Sequence, residues 1–156
     1  MTVRVLSAVE NQDSAIVHAS CVALDGRGLL ITGASGSGKS GLALQLMALG
    51  ATLVADDSVD LKMTGDKVTA QSPAGIRGVI EARGLGLLHA DTVGPVALAY
   101  VVDLARTETT RLPDPVDVKV LRQTVPLLHA ANIPHFAASL IQLLKAGRTG
   151  PEWPNQ

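Results

Sequence analysis

Short apolar runs broken by turn residues fill most of the chain, a pattern that predicts strands. Ala15 to Leu24 is rich in β-branched and small residues and ends at the turn pair Asp25-Gly26, after which Gly28-Leu29-Leu30-Ile31-Thr32 follows. These two runs predict a hairpin whose second strand is buried. Ala51 to Ala55 predicts a further strand ending in Asp56-Asp57. Leu61-Lys62-Met63 and Val68-Thr69-Ala70 flank the polar tip Gly65-Asp66-Lys67 and predict a second hairpin. Val79 to Leu88 is interrupted by glycine, and Val96 to Leu104 is the longest strand candidate. Arg106 to Val116 is polar, carries Pro113 and Pro115, and reads as an exposed loop, with Val118 to Leu121 a last short strand.

Two segments carry helical spacing instead. Leu42, Leu44, Leu46, Met47 and Leu49 are placed to bury one side of a helix that Gly50 stops. Pro134 opens another, His135 to Lys145, with Phe136, Leu140, Ile141 and Leu144 on one face and Gly147 at its end. Strands outnumber helices, which predicts an α/β fold with a mixed sheet rather than a regular alternation of strand and helix. The 156 residues suit a single domain, its core spanning residues 15–147, with Arg148 to Gln156 read as a disordered tail.

Between the buried strand and the first helix stands Gly33-Ala34-Ser35-Gly36-Ser37-Gly38-Lys39-Ser40, a complete G-x-x-x-x-G-K-[ST] loop in the strand–loop–helix setting that the motif requires. Glycines let the backbone fold tightly about phosphate oxygens, and unpaired amides at a helix start point toward the anion. All eight residues are therefore candidates for binding a nucleotide. Lys39 can reach the outer phosphates, and the Ser40 hydroxyl can ligate magnesium.

Composition narrows the partners. Hydrophobic residues make up 47% of the chain but aromatics only 2%, and 13 basic side chains face 14 acidic ones for a net charge of −1. With no basic stripe and no stacking platform, nucleic acid is not expected as a partner. The lone Cys21, in a strand-like stretch, is expected in the core, and a single cysteine suits a reducing compartment. No apolar stretch approaches the roughly 20 residues of a membrane helix. Met1 to Gln12 lacks the pattern of a signal peptide. A cytoplasmic protein with no membrane partner is the expectation.

Other polar groups add to the loop. Asp56 and Asp57 stand at a strand end, where ligands gather in nucleotide-binding sheets. On an extended segment their side chains point opposite ways, so that one could orient magnesium while the other meets an incoming hydroxyl. Glu81 and Arg83, two apart, share a face if extended, where Glu81 could complete a metal site and Arg83 steady a phosphate. His18 taken alone reads as structural, and Arg111 as a solvated surface charge.

Taken together, His18-Ala19-Ser20-Cys21-Val22, the loop through Ser40, Leu53-Val54-Ala55-Asp56-Asp57 and Ile80 through Leu87 resemble the catalytic domain of the HPr kinase/phosphorylase family, in family order. The Glu-x-Arg-Gly-Leu-Gly stretch is far more family-specific than the phosphate loop. The resemblance implies a fold similar to phosphoenolpyruvate carboxykinase and an ATP- and Mg2+-dependent serine kinase that phosphorylates the phosphocarrier protein HPr, typically as a hexamer. It also implies roles: Asp57 as proton acceptor, Lys39 on phosphate charge, Ser40 and Glu81 as magnesium ligands, His18 beside the phosphates, and Arg111-Leu112 in a substrate-facing loop. Asp56 joins the metal set from its place at the strand end. One stretch departs from the family. Pro126 to Asn132 keeps the first Pro and the Asn of a Pro-x-x-Pro-Gly-Arg-Asn signature but lacks its second Pro, Gly and Arg, which weighs against the reverse phosphorylase reaction. A small-molecule kinase with an enclosed pocket beside Asp57, and a non-catalytic nucleotide-binding regulator, remain the two other readings.

Overall fold

The apolar run ahead of the glycine loop becomes the middle of a sheet, because both of its faces are covered. The computed structural model describes residues 3–149. In chain order its strands are β1 (Val3–Arg4), β2 (Ser14–His18), β3 (Ser20–Leu24), β4 (Arg27–Thr32), β5 (Thr52–Ala55), β6 (Ser58–Thr64), β7 (Lys67–Gln71), β8 (Val79–Ala82), β9 (Gly86–His89), β10 (Val96–Glu108), β11 (Val116–Val120) and β12 (Gln123–Ala131). The helices are α1 (Lys39–Ala48) and α2 (Phe136–Ala146), and a short 3-10 turn covers Leu6–Ala8. Ten strands form one mixed sheet in the order β1-β2-β6-β7-β10-β4-β3-β5, with β12 joining at β10 and β11 at β12. The pair β8–β9 is a separate two-stranded sheet. The expected mixed α/β architecture is the one observed.

Leu29, Leu30 and Ile31 of β4 are fully buried. Leu29 and Ile31 pack with Val22, Tyr100 and Val102 under Leu42, Ala43 and Leu46 of α1 and Leu140, Ile141 and Leu144 of α2. Leu30 points the other way, into a cluster with Cys21, Val101, Val17, Val59, Leu61 and Val68. That second cluster draws on strands from both ends of the sheet order, so the sheet curls around it. A strand buried on both faces reads as a continuous apolar run rather than an alternating one. The β3–β4 hairpin turns at Asp25 (φ 52°) and Gly26 (φ 77°), the paired left-handed residues that match strand twist.

Three expectations need correction. Ala15 to Leu24 is two strands, because the chain changes partners at Ala19: β2 pairs with β6, while β3 pairs with β4 and β5. The amide of Ala19 leaves the ladder and donates to the Asp57 carbonyl at 3.3 Å. The loop expected over Arg106 to Val116 is shorter, since β10 runs on to Glu108 by pairing with β12 and β11 begins at Val116. β12 itself was not expected; Pro126 lies within it opposite Asp117, and proline removes an N–H from a ladder and argues locally against a strand.

The α2 helix matches its expected place, with Gly147 (φ 75°) after it. Arg27 fastens its end by donating to the carbonyls of Leu144 at 2.8 Å and Lys145 at 3.3 Å. The expected tail lies, from Gly150 onward, outside the described residues. Arg148 is described, and its guanidinium sits 5.7 Å from the ring centroid of Tyr100. Burial pushes the Tyr100 phenol above its ordinary range, opposed by the positive charges of Arg148 and Arg27. Cys21 is buried in the core as expected, and burial pushes its thiol far up, which leaves it protonated and inert. Among the described residues no helix is long and apolar enough to cross a membrane.

Because Leu30 is enclosed on the inside of the curl, Leu30→Ala leaves a void that flanking strands cannot collapse to fill. The expected loss is about 2–5 kcal/mol of unfolding free energy, read from the urea midpoint of the purified protein.

Candidate functional site

The glycine loop begins where β4 ends and closes by feeding α1. Gly33 (φ 149°), Gly36 (φ 82°) and Gly38 (φ 99°) all adopt backbone that L side chains rarely take up. The Ser37 amide donates to the Ala34 carbonyl at 3.0 Å, which tightens the loop, and the Leu42 amide donates to Gly38 at 2.9 Å, which starts the helix. A Cβ on Gly33 would stand 2.5 Å from the Ser37 hydroxyl oxygen. That hydroxyl is buried and has no hydrogen-bond partner among the described residues. Close backbone approach and an orphaned donor at the loop both fit an anion.

Lys39 opens α1 but folds back into the loop and is only 7% exposed. Its ammonium donates to the carbonyls of Gly33 at 2.9 Å and Ala34 at 3.1 Å, and lies 3.2 Å from His18 Nε2. An ammonium only donates, so Nε2 accepts and the ring proton sits on Nδ1. From there His18 donates to the Asp57 carbonyl at 3.2 Å, with the Asp57 carboxylate 3.5 Å away. His18 therefore bridges the lysine and the second aspartate.

Asp56 and Asp57 diverge, but not because the segment is extended. Asp57 has φ 67°, and the Ser58 amide donates to the Asp56 carbonyl across it at 2.8 Å. This is a three-residue turn of the rare left-handed kind, strained for a residue with a side chain. It throws the Asp57 carboxylate outward to 79% exposure. The Asp56 carboxylate turns inward. Its Oδ1 accepts from Ser20 at 2.6 Å and Ser40 at 2.8 Å, and its Oδ2 accepts from the Glu81 amide at 3.1 Å.

These groups border one cleft of about 320 Å³, lined by His18, Ser35, Lys39, Ser40, Asp57, Glu81 and Arg83 among others. Glu81 is the penultimate residue of β8 and Arg83 stands just past the strand in the turn to β9, so they meet at the cleft without sharing an extended face. No cluster of three histidine, cysteine, aspartate or glutamate side chains able to hold a metal occurs among the described residues. Magnesium needs none, since it is usually held by one or two carboxylates together with substrate phosphates. The oxygen donors Ser40 and Glu81 beside the loop fit it. Arg111 is not brought to the cleft. Asp103 of β10 is level with Thr32 at the end of β4, and five further residues carry the strand on by about 16 Å. Arg111 follows that extension and lines a separate groove of about 290 Å³ with Glu108, His129 and Phe136. Sequence reasoning gave Ser20 no role beyond its place in a matching stretch; a lone hydroxyl in the apolar run Cys21-Val22-Ala23-Leu24 was the available signal.

Fold and cleft together define a mixed α/β domain that carries a glycine-rich phosphate-type loop at the head of its first helix. The model of the HPr serine kinase C-terminal domain matches residues 10–100, and the chain belongs to that family. It is 37% identical over 125 residues to an HPr kinase/phosphorylase of Exiguobacterium, covering 72% of this chain and 40% of that one. It is 43% identical over 88 residues to one from Clostridium tetani, covering 56% and 28%. The chain thus spans less than half the length of these curated relatives. A solved HPr(Ser) kinase/phosphatase from Coxiella burnetii shares the fold at a TM-score of 0.71 and 24% identity, covering 83% of this chain and 88% of that one.

Gly33→Ala forces a Cβ against Ser37 in backbone that disfavours it. The expected cost is about 1–3 kcal/mol of stability, measured by urea unfolding, with no compensating change elsewhere in the loop.

Proposed function

We propose that the chain is a serine protein kinase of the HPr kinase type, transferring the terminal phosphate of ATP to a serine of the phosphocarrier protein HPr with magnesium as cofactor. The observation that carries this reading is the exposed Asp57 carboxylate standing over the same cleft that holds Lys39 and Ser40. A base this open suits a hydroxyl carried on a protein surface. A small metabolite would favour an enclosed pocket instead, and a pure regulator has no use for a strained, outward-turned carboxylate.

Each residue has a distinct task. The loop from Gly33 to Ser40 offers backbone amides and the α1 start to the phosphates. Lys39 exchanges its loop carbonyls for phosphate oxygens as charge builds in the transition state. Ser40 and Glu81 would hold magnesium, which neutralises phosphate charge when bound, with Asp56 behind them. Asp57 accepts the serine proton as the hydroxyl oxygen attacks, and His18 holds Asp57 and Lys39 in register. Arg83, at the rim, is suited to a phosphate oxygen. Pro126 to Asn132 carries no arginine to clamp inorganic phosphate against a phosphoserine, and this supports forward transfer over the reverse phosphorylase reaction. Cytoplasmic location, a hexameric assembly and a single-domain organisation belong to the same proposal.

The test is incubation with purified HPr and γ-labelled ATP, followed by mapping of the labelled residue. Phosphoserine on HPr is the expected product, and label on neither HPr nor any other protein would sink the reading. Lys39→Ala should slow transfer by about 10²–10³-fold with the fold retained. Asp57→Asn should lower kcat by about 10²–10⁴-fold while nucleotide affinity stays within a small factor. The substitution is clean because asparagine accepts left-handed backbone about as readily as aspartate.

A further inference from the structure

Among the described residues the buried polar or charged ones are Ser20, which is fully enclosed, and the largely buried Lys39. It lies on β3, away from the loop in sequence, yet its hydroxyl makes a 2.6 Å bond to Asp56 Oδ1. A hydroxyl carries one proton, and a carboxylate only accepts. Ser20 therefore spends its proton on Asp56. Ser40 does the same at 2.8 Å on the same oxygen. With its proton directed at Asp56, Ser40 turns its lone pairs away from that oxygen, toward the cleft that it lines. The direction of those lone pairs decides whether a hard cation can be held there.

Two donors fill Oδ1, and the Glu81 amide holds Oδ2 at 3.1 Å. Asp56 is thus fixed at both oxygens, and its plane has no freedom to rotate. Without Ser20, Oδ1 loses a buried donor, the carboxylate turns to recover one, and Ser40 loses its fixed acceptor. Ligands of a metal are oriented by such outer partners, and losing one typically costs about 10–100-fold in metal affinity.

We propose that Ser20 is a positioning residue for the cation site: acting through Asp56, it sets the direction in which Ser40 presents its hydroxyl oxygen. The idea rests on the magnesium and nucleotide reading above. It assigns Asp56 to the outer layer of the site, where it orients Ser40 and the Glu81 backbone instead of supplying the cation's first ligand.

The experiment is calorimetric titration of the full chain with a non-hydrolysable ATP analogue, once in EDTA and once in magnesium. The ratio of the two dissociation constants measures how much the cation adds to binding. Ser20→Ala should cut that ratio by about tenfold, leave the EDTA value within about twofold, and lower the thermal midpoint by only a few degrees. Ser20→Thr, which keeps the hydroxyl, should restore the ratio. Should Ser20→Ala fail to fold, Ser20→Cys keeps the volume with a weak donor and should behave as alanine is expected to. An unchanged ratio in Ser20→Ala overturns the proposal. So does an equal loss with and without magnesium, which would mark a packing role only. Wild-type protein that binds no nucleotide in either buffer would sink the kinase reading itself, and this proposal with it.

Discussion

The site depends on one carboxylate that no solvent-facing chemistry uses. Asp56 directly follows β5 and reaches three separate pieces of chain: Ser20 on β3, Ser40 in α1 and the backbone of Glu81 on β8. The first two belong to the main sheet and its helix, but β8 belongs to a hairpin outside that sheet. Buried Ile80 packs the hairpin against the helical side, and Asp56 then sets its register beside the loop. Packing alone would hold the hairpin near the cleft. The hydrogen bond decides which residue of it faces the cleft.

The two faces of the sheet share the work unequally. The helical side, built on Leu29, Ile31, Tyr100 and the apolar stripes of α1 and α2, braces the head of α1 and so the loop itself. The curled side is a closed aliphatic interior around Leu30, Val59 and Leu61. Its contribution to the site is indirect. It fixes the ends of β2 and β6 next to one another, so that His18 and Asp57 meet across strands that are 39 residues apart in sequence. β10 joins the two sides, pairing along one edge with β4 and along the other with β7 and then β12.

What could be read from the chain alone follows from the range of the signals. The loop, the Asp25-Gly26 hairpin, the polar-tipped hairpin of β6 and β7 and the stripe of α2 are set by neighbours within a few residues, and these were legible. Ala19 breaks a strand because a carbonyl from another segment takes its amide, which no local pattern announces. β12 forms because β10 and β11 flank it, overriding the local vote of Pro126. Asp56 and Asp57 were found by type and place, yet their divergence came from a left-handed turn and not from strand alternation. Ser20 stayed without a role because its importance lies wholly in what it touches, and Arg111 was placed by analogy in a loop that the longer β10 moved elsewhere.

The turn at Asp57 also restricts how this position can drift. Backbone at φ 67° is comfortable for glycine and tolerable for asparagine and aspartate, and poor for nearly everything else. The proton transfer proposed for this position asks for a carboxylate, which leaves glutamate and aspartate. The two filters overlap at a single residue. A lineage that lost the chemistry while keeping the fold would settle on asparagine or glycine, whereas the chemically closest exchange, to glutamate, would be met by the backbone first. Backbone and proposed chemistry together leave aspartate as the one side chain that serves both at this position.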